Sequence, residues 1–169
     1  QESAGIAYRQ GNRIRSHKGM GLVSDVMLPE RVAGMSGDAA LGHVRYSTSG
    51  ESRIENAQPI NVKMWRGQFA LAHNGNLVNA GELRTNLEHQ GSIFQTTSDS
   101  EVIPHLLARS PNGDMLDAFV SALSQIRGAY ALIALTPEGL IAAKDPNGFR
   151  PLCLGTVDGA YVLASETCA

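Results

Sequence analysis

The sequence predicts an α+β fold in which helices cover antiparallel sheets. Strand-like segments occupy both ends of the chain, and three helical segments lie between them. Tight turns rich in Gly, Pro, Asn and Asp separate successive strands, and such turns join antiparallel neighbours. The chain has 169 residues, of which 43% are hydrophobic and 18% charged. This length and composition suit one domain with a sizeable core.

The first half of the chain is predicted to contain a hairpin, a short helical segment and two further strands. The Gly11-Asn12 pair separates the runs GIAYRQ and RIRSHK, a pattern that marks a hairpin turn. Residues 22–34 are predicted to be helical with an interruption at Pro29. Strands are predicted at 40–48 and, as a short buried run, at 67–72.

Three helices are predicted in the middle of the chain. The first carries a capping-box pattern, Asn79 with Glu82, and ends at Gly91. The second has Ser98 as its N-cap and contains Pro104, which predicts a kink. The third covers about 115–126. Its predicted apolar face consists of Leu116, Phe119, Val120, Leu123 and Ile126.

Four more strands follow, in AYALIALT, GLIAAK, PLCLGT and AYVLASE.

The composition argues against several classes of function. The net charge of −2 provides no basic surface for nucleic acid or an anionic membrane. No apolar run approaches the roughly 20 residues of a membrane span. Two cysteines are too few for a disulfide framework, so a reducing cytoplasm is the expected location. The histidines and cysteines lack metal-ligand spacing, so no metal site is predicted.

Two charged residues are candidates for binding a free amino acid. Arg45, in GHVRYSTSG, lies where a predicted strand opens into a loop of small polar residues. It is either a surface charge or a clamp that holds a carboxylate through two parallel hydrogen bonds. Asp99, in TTSDSEV, lies in the first turn of a predicted helix, where the helix dipole alone favours an acid. The alternative is that Asp99 receives the ammonium group of a substrate.

The segment His73-Asn74-Gly75-Asn76 lies between a predicted buried strand and a predicted helix. Asn-Gly taken alone is more often a plain turn. The side-chain amide of Asn74 and the backbone N–H of Gly75 can also converge on one oxygen, as the donors of an oxyanion hole do. Together with Arg45 and Asp99, this pair predicts attack on the side-chain carbonyl of an amino acid, most naturally glutamine.

These residues belong to a longer series of segments that resembles a known family. In chain order the segments are GHVRYSTSG, ENAQPI, LAHNGNLVNA, GSIFQTTSDSEV, GAYAL, DPNGFRPL and ASETCA. Over nearly its whole length the chain is similar to class II glutamine amidotransferase domains, which are N-terminal-nucleophile hydrolases. Within that family, QESAGIA and ENAQP point to the amidophosphoribosyltransferases. The resemblance implies an αββα sandwich of two antiparallel sheets between helical layers.

The resemblance also implies a role for each candidate residue. Asn74 and Gly75 would form the oxyanion hole, Arg45 would bind the α-carboxylate of glutamine, and Asp99 would bind its α-amino group. Thr48 would line the pocket. In such enzymes the glutamine amide is hydrolysed through a thioester. The released ammonia then reacts with phosphoribosyl pyrophosphate to form 5-phosphoribosylamine, the first step of de novo purine biosynthesis.

The nucleophile of the family is a cysteine at the mature N-terminus. Its α-amine, which titrates near pH 7.7–8.0, can take the proton of the thiol. This chain begins at Gln1, and neither Cys153 nor Cys168 matches that position. We therefore expect residues 1–169 to be an amidotransferase domain truncated at both ends, without its nucleophile and inactive alone. The phosphoribosyltransferase domain would lie outside this chain.

The resemblance leads to expectations about cofactors and partners. No cofactor is implied for this domain. Mg²⁺ is implied for the absent part of the full-length enzyme, where an iron–sulfur cluster is left open. Glutamine, phosphoribosyl pyrophosphate through the absent domain, and further copies in a homo-oligomer are the expected partners. Two alternatives remain: an amidotransferase of the glucosamine-6-phosphate synthase or asparagine synthase type, and a non-catalytic glutamine-binding module.

Overall fold

The structure is a computed structural model that describes residues 1–46, 51–111 and 113–168. Within these ranges the strands are β1 (Ser3–Gln10), β2 (Arg13–Met20), β3 (Ala39–Arg45), β4 (Ile60–Met64), β5 (Gly67–Leu77), β6 (Gly128–Leu135), β7 (Leu140–Lys144), β8 (Cys153–Val157) and β9 (Ala160–Ala164). The α-helices are α1 (Val23–Val26), α2 (Pro29–Ala33), α3 (Ala80–His89), α4 (Val102–Arg109) and α5 (Met115–Leu123). Short 3₁₀ turns lie at Ile54–Asn56 and Asp99–Glu101.

The strands form two antiparallel sheets and a separate hairpin. The predicted hairpin of β1 and β2 is confirmed, and β3 pairs with the other side of β1, so the first sheet has the order β2-β1-β3. The second sheet has the order β4-β5-β6-β7, and β8 pairs with β9. The sequence analysis missed β4, although its half-buried residues Ile60, Val62 and Met64 alternate with exposed ones as an edge strand requires.

The two sheets pack face to face between helices, which confirms the predicted αββα sandwich. The buried residues between the sheets are alanines and larger aliphatic residues: Ala7, Ile14, Leu41, Ala70, Ala72 and Leu135. On the opposite face of the first sheet, the buried Val26 of α1 packs against Gly19 of β2. Helices α3, α4 and α5 pack with the other face of the second sheet around Phe69, Leu71 and Leu132. Within the described ranges, no helix is long and apolar enough to cross a membrane.

Helix α3 begins where it was predicted to begin, but without the predicted capping box. The Asn79 side chain makes no capping hydrogen bond. Its Nδ2 donates to the carbonyl of Gln125, and its Oδ1 accepts the backbone N–H of Arg127. The side chain therefore attaches the start of α3 to the segment that leads into β6, a contact distant in sequence that a local pattern does not reveal.

The second predicted helix is divided into a 3₁₀ turn and α4. The N-cap at Ser98 is confirmed, because its Oγ accepts the backbone N–H of Ser100. Pro104 lies in the first turn of α4, where a missing N–H breaks no bond within that helix. The helix type changes at Val102, so Pro104 does not interrupt a continuous helix as predicted.

The predicted buried face of α5 is partly wrong. Phe119 is 2% exposed, but Leu116 and Val120 are 55% and 60% exposed. The buried face instead contains Ala118 and Ala122 beside Phe119, because small side chains allow a close approach to neighbouring elements.

We expect Phe119→Ala to lower the free energy of unfolding by about 3–5 kcal/mol, because it leaves a cavity beside the edge-to-face partner Phe69. The matched control Val120→Ala should change it by less than about 0.5 kcal/mol, because Val120 is exposed. Urea denaturation of both variants measures the difference. Equal losses would show that α5 does not bury this face.

Candidate active site

Four predicted site residues meet in one cleft of about 750 Å³, a volume typical of small-molecule sites. Arg45 at the end of β3, Asn74 and Gly75 in β5, and Asp99 at the start of the second 3₁₀ turn all line this cleft. Residues that are distant in sequence are thus close in space. The fifth predicted residue, Thr48, lies outside the described ranges.

The Asn74-Gly75 pair lies inside a strand and forms no turn. β5 was predicted to end at residue 72, but it continues to Leu77, and Asn74 and Gly75 pair with Ala131 and Tyr130 of β6. The turn interpretation is therefore wrong. A strand held by its neighbour presents these two residues in a defined geometry, which a flexible turn would not provide.

The backbone N–H of Gly75 is directed away from β6. The N–H of His73 donates to Oε1 of Gln58 at 2.7 Å, and the N–H of Leu77 donates to Oδ2 of Asp99 at 2.8 Å. N–H groups alternate between the two sides of an antiparallel strand, so the N–H of Gly75 points to the same side as these two. β4 begins at Ile60, opposite Leu71, so it does not reach Gly75, and Gly75 lines the cleft.

Steric contact explains why residue 75 is glycine. A Cβ there would lie 2.0 Å from the carbonyl oxygen of Ala129 and 2.9 Å from Nε2 of His73. The backbone φ of +155° is also rarely adopted by other residues. The close contact of β5 with β6 at this point therefore depends on the absence of a side chain.

Arg45 and Asn74 lie on the inner faces of the two sheets. Side chains alternate along a strand, so Asn74 shares a face of β5 with Ala72, and Arg45 shares a face of β3 with Leu41. Both Ala72 and Leu41 belong to the cluster between the sheets. The two polar residues therefore extend the interface between the sheets into the cleft.

The guanidinium of Arg45 is buried and binds a carboxylate of the chain itself. Its Nη1 donates to Oε2 of Glu2 at 2.8 Å. The sequence analysis did not identify Glu2 as part of the site.

Asp99 is fixed by a small hydrogen-bond network. Besides accepting the N–H of Leu77, its carboxylate accepts the hydroxyl of Ser100 at 3.3 Å. Nδ1 of His73 lies 2.8 Å from that hydroxyl oxygen and 3.9 Å from Oδ1 of Asp99. The carboxylate is therefore oriented from two sides where it borders the cleft.

The two histidines beside the cleft are held in their neutral form. Burial lowers the pKa of His43 to about 4, and the positive charge of Arg45 adds to this effect. Burial also lowers the pKa of His73, as does Arg150, while Asp99 opposes the shift. Nε2 of His43 donates to the carbonyl of His73 at 3.2 Å.

A buried acid that the sequence analysis missed orders another wall of the cleft. Asp145 is 2% exposed and accepts backbone N–H groups from Tyr130, Asn147, Phe149 and Arg150. Burial opposes its ionisation, but these four hydrogen bonds hold the pKa of Asp145 below its usual value. Arg150, whose backbone N–H Asp145 accepts, lines the cleft. The Asp-Pro-Asn-Gly turn was the available signal.

Comparison with known proteins shows the family of the chain. A sequence model of the glutamine amidotransferase domain matches residues 43–169. The chain belongs to the glutamine amidotransferase family. Among its relatives, the amidophosphoribosyltransferases of Bacillus subtilis (strain 168) and Archaeoglobus fulgidus are 48% and 47% identical to it, over 100% of this chain and 36% and 37% of theirs.

A solved amidotransferase structure has the same fold. The glutamine phosphoribosylpyrophosphate (PRPP) amidotransferase from B. subtilis, complexed with ADP and GMP, superposes with a TM-score of 0.92 and 47% identity. The match covers 99% of this chain and 36% of that one. The chain thus spans a little over a third of the length of the relatives that it matches.

We expect acid to destabilise the fold through His43. Between its unfolded pKa of 6.5 and its folded pKa of about 4, the unfolded chain binds a proton that the folded chain does not. The free energy of unfolding should therefore fall as the pH drops through this window, by up to about 3 kcal/mol from this group. Denaturation at a series of pH values measures the slope.

His43→Asn should reduce that slope, because it removes the titrating group. His89→Asn, which replaces an exposed histidine of α3, is the matched control. If both variants kept the full slope, the acid sensitivity would not arise from His43.

Proposed function

We propose that the chain is the glutamine-hydrolysing domain of an amidophosphoribosyltransferase. The observation that carries this proposal is that Arg45, Asn74, Gly75 and Asp99 line one cleft. A cation and an anion there suit the two charged ends of a free amino acid. The two amide donors suit the carbonyl oxygen of its side chain.

Binding follows from these charges. The guanidinium of Arg45 would pair with the α-carboxylate of glutamine, and the carboxylate of Asp99 would accept hydrogen bonds from its α-ammonium group. Holding both groups fixes the orientation of the substrate and directs its side-chain amide along the cleft. Asn74 and Gly75, on β5, would then meet the amide oxygen.

Asn74 and Gly75 would stabilise the charge that develops during acyl transfer. When a thiolate attacks Cδ of glutamine, the electron pair of the carbonyl bond moves to oxygen. Nδ2 of Asn74 and the backbone N–H of Gly75 would donate to this oxyanion. Cleavage of the C–N bond, with a proton delivered to nitrogen, releases ammonia and leaves a thioester, which water hydrolyses to glutamate.

The attacking thiol in this proposal is the N-terminal cysteine of the family. Neither of the free cysteines in the described ranges, Cys153 in β8 and Cys168, lines the cleft. Residues 1–169 would therefore supply substrate binding and oxyanion stabilisation. The α-amine of the N-terminal cysteine would act as the general base.

The acceptor of the ammonia is proposed to be phosphoribosyl pyrophosphate. Support comes from the relatives named amidophosphoribosyltransferase, which are nearly half identical to this chain. The acceptor chemistry would be carried out outside residues 1–169. Incubating the complete gene product with glutamine and phosphoribosyl pyrophosphate tests this, because glutamate and pyrophosphate should form together. Glutamate formation without pyrophosphate would reject this acceptor.

We expect Asn74→Ala, in the complete gene product, to lower glutamine-dependent turnover by about 100- to 1,000-fold, the usual loss for one oxyanion donor. Synthesis from added ammonia should be retained. Asn76→Ala is a matched control, because this exposed asparagine lies on the same face of β5 but outside the cleft. A parallel loss of both activities in Asn74→Ala would contradict the oxyanion role.

A second substitution tests the binding role of Asp99. Asp99→Asn keeps the shape of the side chain but removes its charge, so KM for glutamine should rise by about 10- to 100-fold while kcat changes less. Asp158→Asn serves as the control, since this exposed residue has a φ of 50° that asparagine also tolerates. An unchanged KM in Asp99→Asn would reject the assignment.

A further inference from the structure

We propose that Asn56 and Gln58 are positioning residues, each of which holds a different part of the site in place. Gln58 would fix the strand that presents the Gly75 donor, and Asn56 would fix the loop that carries Asp99. Both side chains are buried, with 2% and 5% exposure. The assignment rests on the proposed glutamine hydrolysis and names two residues that act through the backbone segments they hold, although Gln58 also lines the cleft.

Gln58 takes the place of a strand partner for β5. Its Oε1 accepts the N–H of His73 at 2.7 Å, and its Nε2 donates to the carbonyl of His73 at 3.3 Å. A primary amide offers the same donor and acceptor as a peptide group. The side chain of Gln58 therefore continues the hydrogen bonding between β4 and β5 on the N-terminal side of Ile60, where β4 begins. Gly75, two residues after His73, is left facing the cleft.

The backbone of this segment is itself held by the first sheet. A Cβ on Gly5 of β1 would lie 2.2 Å from the carbonyl oxygen of Gln58, so the two backbones are in close contact. Nζ of Lys18 donates to the carbonyl of Ala57 at 2.7 Å. Gln58 therefore connects β5 to a segment that is in close contact with β1 of the first sheet.

Asn56 makes the corresponding contacts with the loop before Asp99. Its Oδ1 accepts the N–H of Thr97 at 3.0 Å, and its Nδ2 donates to Oγ1 of Thr97 at 2.8 Å. The same Nδ2 donates to the carbonyl of Glu51 at 2.6 Å. Thr97 precedes Asp99 by two residues, so the place of the carboxylate depends on this contact.

The two residues should affect different kinetic constants. A displaced Gly75 donor weakens an interaction made fully only in the transition state, which lowers kcat. A displaced Asp99 weakens an interaction already made in the substrate complex, which raises KM. A shared loss of general stability would not separate the constants in this way.

The experiment measures kcat and KM for glutamine hydrolysis by the complete gene product. Gln58→Ala should lower kcat by about 10- to 100-fold with KM changed less than about threefold, and Asn56→Ala should raise KM by about 10-fold or more with kcat largely kept. Gln58→Glu retains the acceptor for His73 but loses the donor to its carbonyl, so it should not restore kcat. Synthesis from added ammonia reports an intact fold.

Gln68 provides a matched control. Its Oε1 accepts the N–H of Ile14, and its Nε2 donates to the carbonyl of Ile14, so it makes the same double contact away from the cleft. Gln68→Ala should leave both constants within about twofold of the unsubstituted protein.

Each result decides a different question. Separate effects of Gln58→Ala on kcat and Asn56→Ala on KM support the assignment. Equal effects on one constant, or constants like those of Gln68→Ala, overturn it while the proposed function stands. Absence of glutamine hydrolysis by the unsubstituted protein rejects the proposed function and this assignment with it.

Discussion

The site depends on one edge of β5 that the neighbouring strand leaves uncovered. β4 begins at Ile60, opposite Leu71, while β5 continues past Leu71 to Leu77 along β6. Backbone groups beyond that point must find other partners, because unpaired buried amides are costly. Gln58 and Asp99 supply them at His73 and Leu77, and the N–H of Gly75 between them faces the cleft.

Charge in the cleft is arranged so that few ionised groups are buried without a partner. Glu2 faces the guanidinium of Arg45, and the carboxylate of Asp99 accepts a backbone N–H. The nearby histidines are neutral because burial lowers their pKa values. Under the proposed function, a zwitterionic amino acid would bring one charge of each sign to a cleft lined by Arg45 and Asp99.

Sequence patterns identified residues that line the cleft, but not the residues that hold them. Arg45, Asn74, Gly75 and Asp99 were selected because each has a side chain or backbone group suited to a proposed step, and all four line the cleft. The residues that hold them, such as Gln58 and Asn56, contact residues that are distant in sequence. Asn56 meets Thr97, 41 residues on, and no local pattern encodes such a pair.

The sequence by itself determined the α+β class and the antiparallel pairing of strands across tight turns, because periodicity and turn residues act over a few neighbouring positions. The sandwich of two sheets was implied by the family resemblance. Only the tertiary structure decided which face of α5 is buried and that β5 passes through Asn-Gly. In α5, close packing favoured Ala118 and Ala122 over Val120. In β5, pairing with β6 outweighed the turn preference of Gly75, since a partner strand satisfies backbone groups that a turn would leave to water.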